Sequence, residues 1–323
     1  MTDRLSIRLA AGSGPTFGVD DLACAAATRL QCWHHEGLDV SWTPVHGGVA
    51  AMNAVLDGSV DVGYGGLGPA IRMRTEGAPL RVVISMARGL AQNLVVQAHI
   101  TDPDELRGAS WALDGLGALS HHMARLTIAA LGIADDEIDW RPLGPPPQRI
   151  EQLISGDIDA SLIRVEEAMS LNRSHEGQLY TLLGFDDLKQ LVPLQPHGVL
   201  ATTKAYEADN AEALARLSRG MIKASRSLHD DYAMFRQVYD NYVTVPLPDQ
   251  DVESIWQREH DTGGFAVNGE MSAEHWNAQL DSYVTLNPDM TRIECDELLA
   301  PQFVSDALAE MGRHAGGFDS TGA

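Results

Sequence analysis

The sequence predicts an α/β protein built from two related lobes. The chain has 323 residues, a usual length for two domains that each bury their own core. Strand-like apolar runs alternate with helical patterns through roughly the first two thirds of the chain, as in α/β folds. A segment of the first part also recurs, in the same order, further along the chain. These three observations define the predicted fold class.

The recurrence has a fixed offset of 98 residues. It pairs Trp42, Pro44, Gly58 and Asp61 with Trp140, Pro142, Gly156 and Asp159. In each copy a helical pattern follows the proline and ends at the glycine, which is expected to adopt the left-handed conformation found just beyond helices. The aspartate then lies inside an apolar strand. A period this long indicates two similar lobes, and not a solenoid.

Each predicted lobe has four strands and three helices. In the first lobe the strands cover residues 5–10, 38–44, 60–64 and 80–86, and the helices begin near Asp20, Gly48 and Gly68. In the second lobe the strands cover residues 110–113, 138–141, 160–163 and 180–183, and the helices cover 120–131, 147–155 and 165–171. Two apolar segments, 94–98 and 198–202, bracket the second lobe and are expected to be crossing strands.

The chain beyond Tyr206 is predicted to be helical, over residues 210–228, 230–241, 249–259 and 272–282. We therefore expect two domains. Residues 1–93 and 199–323 form the first lobe with its C-terminal helices, and residues 94–198 form the second lobe with the crossing strands.

The composition restricts the class of partner. With 44% hydrophobic and 21% charged residues the chain is globular. Its 23 Lys and Arg residues against 45 Asp and Glu residues give a formal charge of −22. Such a surface repels phosphate backbones and anionic lipid, so we expect no nucleic-acid partner. No apolar run approaches the ~20 residues of a membrane span, so we expect no membrane insertion.

The cysteines and the N-terminus bear on the compartment. Cys24, Cys32 and Cys295 have no CxxC spacing, so neither a disulfide framework nor a zinc site is expected. Residues 1–8 enter a strand pattern without the basic and apolar regions of a signal peptide. As written, the sequence predicts a cytoplasmic protein. A periplasmic or extracellular location is expected if a signal has been removed.

An ordered series of motifs carries a family resemblance. The motifs are residues 36–40 (EGLDV), 46–48 (HGG), 56–62 (LDGSVDV), 65–70 (GGLGPA), 77–82 (GAPLRV) and 154–160 (ISGDIDA). Over about residues 5 to 230 the chain resembles the nitrate/sulfonate/taurine-type solute-binding proteins of ABC importers. That family also contains the thiamine-pyrimidine synthases and an aromatic sulfinate desulfinase.

The resemblance implies a type II periplasmic-binding-protein fold, with two α/β lobes, two crossing strands and a ligand in the cleft between the lobes. It also implies an ABC permease as a partner. The chemistry of the enzyme relatives does not transfer to this sequence. The desulfinase uses a cysteine after the first strand, where this chain has residues 12–16 (GSGPT), and the cysteine-rich segment of the synthases is missing.

Small residues follow the strands where ligands bind in α/β folds, at the carboxyl ends of the strands. The turns are residues 12–16, 46–48, 65–68 and 115–120. Exposed N–H groups at helix N-termini bind anionic groups such as carboxylate and sulfonate. We place Pro69 at the first helical position after the third turn, which suits proline. The candidate ligand-binding residues of these turns are Ser13, Thr16, His46, Gly47, Gly48, Gly65, Gly66, Leu116, Gly117, Ser120 and His121.

Three side chains could add charge or a proton. Arg164 follows a strand and could clamp a carboxylate, or it could pair with Glu166 or Glu167 on the surface. His46 lies at a turn, and His197 at the start of the second crossing strand, so either could serve as a general acid or base if the protein is an enzyme.

No metal site and no cofactor is expected. The pairs His34–His35 and His121–His122 consist of adjacent residues, which point ~100° apart on a helix and cannot easily chelate one ion. Residues 63–68 satisfy G-x-G-x-x-G, but residues 80–86 lack the acidic residue that a dinucleotide site requires.

Two functional hypotheses remain. The first is a binding protein that closes on a small organic anion, a carboxylate or sulfonate that could be aromatic. The second is a cytoplasmic lyase on the same scaffold, of the decarboxylase or desulfinase type, acting on an aromatic or heteroaromatic acid.

Overall fold

The computed structural model describes residues 4–12, 17–192, 196–269 and 271–317. The chain divides into two compact units, residues 1–89 with 194–323, and residues 90–193. Ten strands are described: β1 (Leu5–Ala11), β2 (Leu38–Pro44), β3 (Val62–Gly65), β4 (Leu80–Arg88), β5 (Gln92–Gln97), β6 (Ser110–Leu113), β7 (Asp139–Pro142), β8 (Ala160–Arg164), β9 (Leu179–Leu183) and β10 (Pro196–Thr203).

Helices are interspersed among the strands until β10, and only helices follow it among the described residues. Those before β10 are α1 (Leu22–Arg29), α2 (Cys32–His35), α3 (Gly47–Leu56), α4 (Leu67–Thr75), α5 (Leu119–Ala130), α6 (Pro146–Ser155), α7 (Val165–Ser174) and α8 (Phe185–Leu191). Those after it are α9 (Lys204–Asp209), α10 (Ala211–Asp230), α11 (Tyr232–Tyr242), α12 (Asp249–Asp261), α13 (Ala273–Leu286), α14 (Cys295–Leu298) and α15 (Gln302–Met311).

The two units contain sheets of the same topology. The first sheet has the order β2-β1-β3-β10-β4 and the second the order β7-β6-β8-β5-β9. In each sheet the first three strands are parallel, and the fourth is antiparallel to both of its neighbours. Both units are therefore mixed α/β structures, as the recurring sequence predicts.

The recurring residues occupy matching places in the two sheets. Trp42 lies opposite Leu9 and Trp140 lies opposite Trp111, each in the edge strand beside the central strand of its parallel trio. Gly58 (φ +77°) and Gly156 (φ +80°) both adopt the left-handed conformation predicted for them. The backbone thus requires glycine at both positions.

The recurring aspartates also act alike. An oxygen of Asp61 accepts a hydrogen bond from the Arg8 backbone N–H at 2.7 Å, and an oxygen of Asp159 accepts one from the Ser110 backbone N–H at 2.8 Å. Each carboxylate therefore binds the neighbouring parallel strand of its own sheet. The recurring aspartate thus has a structural role in both units.

Each unit has its own apolar core. In the first unit α3 and α4 pack on the sheet together with α13, whose Trp276 is fully buried. In the second unit one cluster surrounds Trp111 and the other surrounds Leu153 of α6. Residues 160–163 of β8 are buried on both faces of the sheet, and Leu153 lies on the inward face of α6. No helix among the described residues is long and apolar enough to cross a bilayer.

Candidate anion-binding site

In the first unit two helices begin at the carboxyl ends of β2 and β3, the two parallel strands on either side of β1. Residues 45–46 join β2 to α3, and Gly66 joins β3 to α4. The loops are tied together by backbone hydrogen bonds: Gly12 N donates to Tyr64 O, and Gly47 N donates to Gly12 O, both at 2.9 Å. The predicted residues His46, Gly47, Gly48, Gly65 and Gly66 therefore lie together at one edge of the sheet.

Glycine is required here by close approach of one loop to another. A Cβ atom on Gly65 would lie 2.6 Å from the Cα of Gly48, and one on Gly12 would lie 2.6 Å from the carbonyl oxygen of Tyr64. Both contacts are with backbone atoms, which cannot turn away as a side chain can. The glycines thus allow the N-termini of α3 and α4 to lie side by side.

The first-turn amides of α3 and α4 have no acceptor within their own helices, and of these Gly47 N donates to Gly12 O. His46 is the residue before α3, and its side chain makes no capping hydrogen bond. Gly66, the residue before α4, has no side chain that could cap that helix. Such amides carry partial positive charge and can receive an anion. Pro69 is the third helical residue, because α4 begins at Leu67; the prediction of the first helical position was wrong.

Apolar side chains surround this edge. Val49, in the first turn of α3, is 54% exposed. Phe17 makes edge-to-face contacts with Trp42 of β2 and with Tyr242 of α11. All three rings of that cluster are half-buried. The sequence did not indicate this cluster, because its members are distant along the chain. The one feature that could have indicated it is Phe17, an aromatic residue in the loop after the first strand.

In the second unit the predicted polar residues stabilise their own loop. Ser120 Oγ accepts a hydrogen bond from Asp114 N, and His121 Nδ1 accepts one from Gly117 N, both at 2.9 Å. Burial lowers the pKa of His121, and the nearby Arg125 lowers it further. The two side chains thus fix the turn before α5. Leu116, at the tip of that turn, is 67% exposed.

Arg149, in the first turns of α6, is the charged residue that sequence analysis missed. It is 3% exposed. Its Nη1 donates to Ser161 Oγ at 3.1 Å and to Leu162 O at 2.8 Å, and its Nη2 lies 3.2 Å from Asp114 Oδ1. In the sequence, its spacing of four residues from Leu153 could have indicated that Arg149 lies on the apolar face of α6.

Arg164 ends β8 and precedes α7, on the same sheet edge as Arg149 and Asp114. The electrostatic influence of Arg149 and Arg164 extends to Glu167, of which one oxygen is buried. Burial raises the pKa of Glu167, and the two guanidinium groups oppose that rise. Arg164 therefore lies near other charged groups of this unit, and its role as a carboxylate clamp stays a prediction.

Some predicted residues lie outside the described structure. Ser13 and Thr16 are not among the described residues, and of His197 only the backbone, within β10, is described. His34 and His35 lie on α2 with ring centroids 6.5 Å apart.

The paired mixed sheets, with ligand-type turns at their carboxyl edges, define the class: this is a periplasmic-binding-protein fold of two lobes. A family model described as "NMT1/THI5 like" matches residues 24–231. The chain belongs to the NMT1/THI5-like family. A search of curated proteins gives no match.

Solved structures of the same fold are similar along nearly the whole chain. The alkanesulfonate-binding protein SsuA from Xanthomonas axonopodis pv. citri, bound to MOPS, is 16% identical with a TM-score of 0.72, over 93% of this chain and 100% of the other. The periplasmic nitrate-binding protein NrtA from Synechocystis PCC 6803 is 12% identical with a TM-score of 0.72, over 96% and 90%. A mutant of DSZB in complex with biphenyl-2-sulfinic acid is 14% identical with a TM-score of 0.65, over 95% and 99%.

Proposed function

We propose that this protein binds a small organic anion, a carboxylate or sulfonate, as the solute-binding component of an ABC importer. The observation that carries the proposal is the close approach of Gly48 to Gly65, which sets the N-termini of α3 and α4 side by side. Two adjacent first turns supply several amide donors and the positive ends of two helix dipoles to one anionic group.

Exposed apolar side chains support an organic ligand over a bare inorganic ion. Val49 lies in the first turn of α3, beside the proposed anion-binding amides. An apolar group on the ligand that covered such side chains would contribute about 25 cal/mol per Å² buried. We propose that the ligand carries an aliphatic or aromatic body.

The ligands named for the structural neighbours are oxyanions, which supports an oxyanion here. The neighbours are an alkanesulfonate-binding protein bound to MOPS, a nitrate-binding protein and a protein in complex with a sulfinic acid. The proposed ligand is negatively charged, as those of the neighbours are. Because its site uses backbone amides, the −22 charge of the chain does not exclude such a ligand. In this role the protein would meet its permease outside the cytoplasmic membrane.

The lyase hypothesis gains no support from its proposed acid–base residues. His46 is exposed and does not cap α3. For His197 only the backbone position in β10 is described. We therefore propose binding without chemistry.

Isothermal titration with matched sulfonates and carboxylates, aliphatic and aromatic, tests the proposal. We expect at least one organic anion to bind, sulfate to bind more weakly, and mass spectrometry to recover the ligand unchanged after long incubation. His46→Ala should change the affinity by less than about twofold, because backbone amides hold the anion. Absence of binding across the panel, or conversion of the ligand, would overturn the proposal.

A further inference from the structure

A cluster of metal-ligand side chains lies where α10 ends, and none of its members belongs to the candidate anion site. His229 and Asp230 are the last two residues of α10, and His314 follows α15. His229 Nδ1 lies 2.7 Å from Asp230 Oδ1, and His314 Nε2 lies 3.0 Å from the same oxygen. One ligand atom from each residue lies within 4.8 Å of the other two.

The ring of His229 is held by its neighbours. It is buried, it stacks on His260 with a centroid separation of 4.2 Å, and it meets the ring of Phe265 edge to face at 6.0 Å. The ring of His314 meets it nearly at right angles, at 4.9 Å. Packing on several sides fixes the direction in which His229 Nδ1 points, which is how metal ligands are preorganised.

The backbone of His314 is held by the buried side chain of Asn268. His314 N donates to Asn268 Oδ1 at 2.9 Å, and Asn268 Nδ2 donates to His314 O at 3.1 Å. Arg226 Nη2 donates to Gly312 O at 2.7 Å and to Asn268 Oδ1 at 3.3 Å. The segment that carries His314 is thus fixed against α10 by contacts that do not involve the ligand atoms themselves.

The local electrostatics favour a cation. The last turn of α10, a helix of 20 residues, presents carbonyl groups and the negative end of the helix dipole. Partial burial would raise the pKa of Asp230, but hydrogen bonds from His229 and His314 outweigh it and lower the pKa overall. Burial lowers the pKa of His229 against the opposing effect of Asp230. A carboxylate and a neutral imidazole are the forms that bind metal.

We propose that His229 Nδ1, Asp230 and His314 Nε2 bind one divalent first-row transition-metal ion that favours imidazole ligands, zinc being the test case. Two imidazoles and a carboxylate form a ligand set that zinc accepts, with solvent in the fourth position. The Asp230 side chain is 53% exposed, so an ion and its water can enter from solvent.

Metal binding must move two protons. His314 Nδ1 accepts a hydrogen bond from Gly316 N at 3.0 Å, so its proton is assigned to Nε2, facing Asp230. His229 Nδ1 is likewise assigned a proton that it donates to Asp230. On binding, each ring keeps its proton by moving it to the other nitrogen, and the Gly316 hydrogen bond to Nδ1 breaks. A ring that is neutral before binding therefore releases no proton.

Titration of the untagged full chain with zinc chloride near neutral pH tests the site. We expect one zinc ion per chain, a raised thermal midpoint, and loss of affinity of at least about tenfold in Asp230→Asn and His314→Ala. His35→Ala, on α2, is the matched control for adventitious binding by an exposed histidine and should retain the affinity.

Two further measurements keep the test independent of folding. The far-ultraviolet circular dichroism of each metal-free variant should match the wild type. In the wild type itself, labelled-histidine NMR should show that zinc shifts the ring nitrogens of His229 and His314, and that the proton of each ring has changed nitrogen. Binding lost in His35→Ala but kept in His314→Ala, or no stoichiometric zinc in the wild type, would overturn the proposal.

Discussion

Gly48 and Gly65, which belong to different loops, approach so closely that a methyl group on Gly65 would lie 2.6 Å from the Cα of Gly48. Gly65 does not have a left-handed φ, so the requirement for glycine is one of space and not of backbone conformation. The pair is the packing contact that holds the starts of α3 and α4 together.

Replacement of Gly65 by alanine should therefore separate the two helix N-termini. Because the new Cβ would meet a backbone atom of Gly48, which cannot turn away, we expect Gly65→Ala to lower the free energy of unfolding by about 1–3 kcal/mol. The affinity for the organic anion should fall more than tenfold. Gly115→Ala is the control, since a Cβ there meets nothing within 4 Å. Urea unfolding and titration of both variants measure the effects, and equal stability would show that the loops can separate freely.

Loss of Arg149 should destabilise the second unit. Arg149→Met leaves Asp114 and Leu162 O without the guanidinium donors that they have in the structure. We expect the free energy of unfolding to fall by roughly 3 kcal/mol. This is the low end of the range for breaking a buried ion pair, because Asp114 is partly exposed. Arg141→Met removes an exposed arginine paired with Asp139 and should change stability little. Urea unfolding followed by circular dichroism compares them, and equal effects would contradict the burial of Arg149.

The buried His122 should make the fold sensitive to acid. Burial, followed by the charge of Arg125, lowers its pKa to about 3. Between about pH 6.5 and pH 3 the unfolded chain takes up a proton that the folded chain does not, so stability falls as the pH falls. From pH 7 to pH 5 this residue alone should remove about 2 kcal/mol.

Urea unfolding at the two pH values, in wild type and His122→Leu, checks this sign. The variant should lose less stability on acidification than the wild type does. His35→Leu, at an exposed position of α2, should retain the wild-type slope. An unchanged slope in His122→Leu would show that other groups control the acid sensitivity.

We expect the carboxylate of Asp159 to stabilise the second sheet. It accepts hydrogen bonds from the Ser110 N–H at 2.8 Å and from Ser110 Oγ at 2.7 Å. Asp159→Ala leaves both donors without this acceptor, and we expect the free energy of unfolding to fall by about 1–3 kcal/mol. Asp157→Ala, two residues earlier on an exposed turn, is the control. Hydrogen exchange of the β6 amides should accelerate only in Asp159→Ala; equal exchange in the two variants would contradict this role.

The strands could be predicted from the sequence because their patterns are local. Strand β1 was predicted as residues 5–10 and is Leu5–Ala11, and β8 was predicted as 160–163 and is Ala160–Arg164. Turn residues and buried apolar runs define such segments without tertiary information. Helices α8 and α15 were not predicted, although both contain apolar residues at helical spacing.

The candidate site was less accessible to sequence analysis because it depends on contacts between distant residues. Glycines at the turns were predicted, but the contact of Gly48 with Gly65 was not. Ser120 and His121 were predicted to face a ligand, whereas their described bonds are to the loop before α5. His229 and His314 are brought together only by the fold, and the sequence spacing of 84 residues between Asp230 and His314 gives no signal.

The position of β10 has a consequence for the order in which the protein can form during synthesis. β10 lies between β3 and β4, although about a hundred residues separate it from β4 in the chain. The first sheet therefore cannot be completed until residue 203 has left the ribosome. The second unit, which is continuous from 90 to 193, has all of its strands by then. Although nascent domains usually fold from the N-terminus onward, here the inner segment can finish first and the beginning of the chain must wait for it.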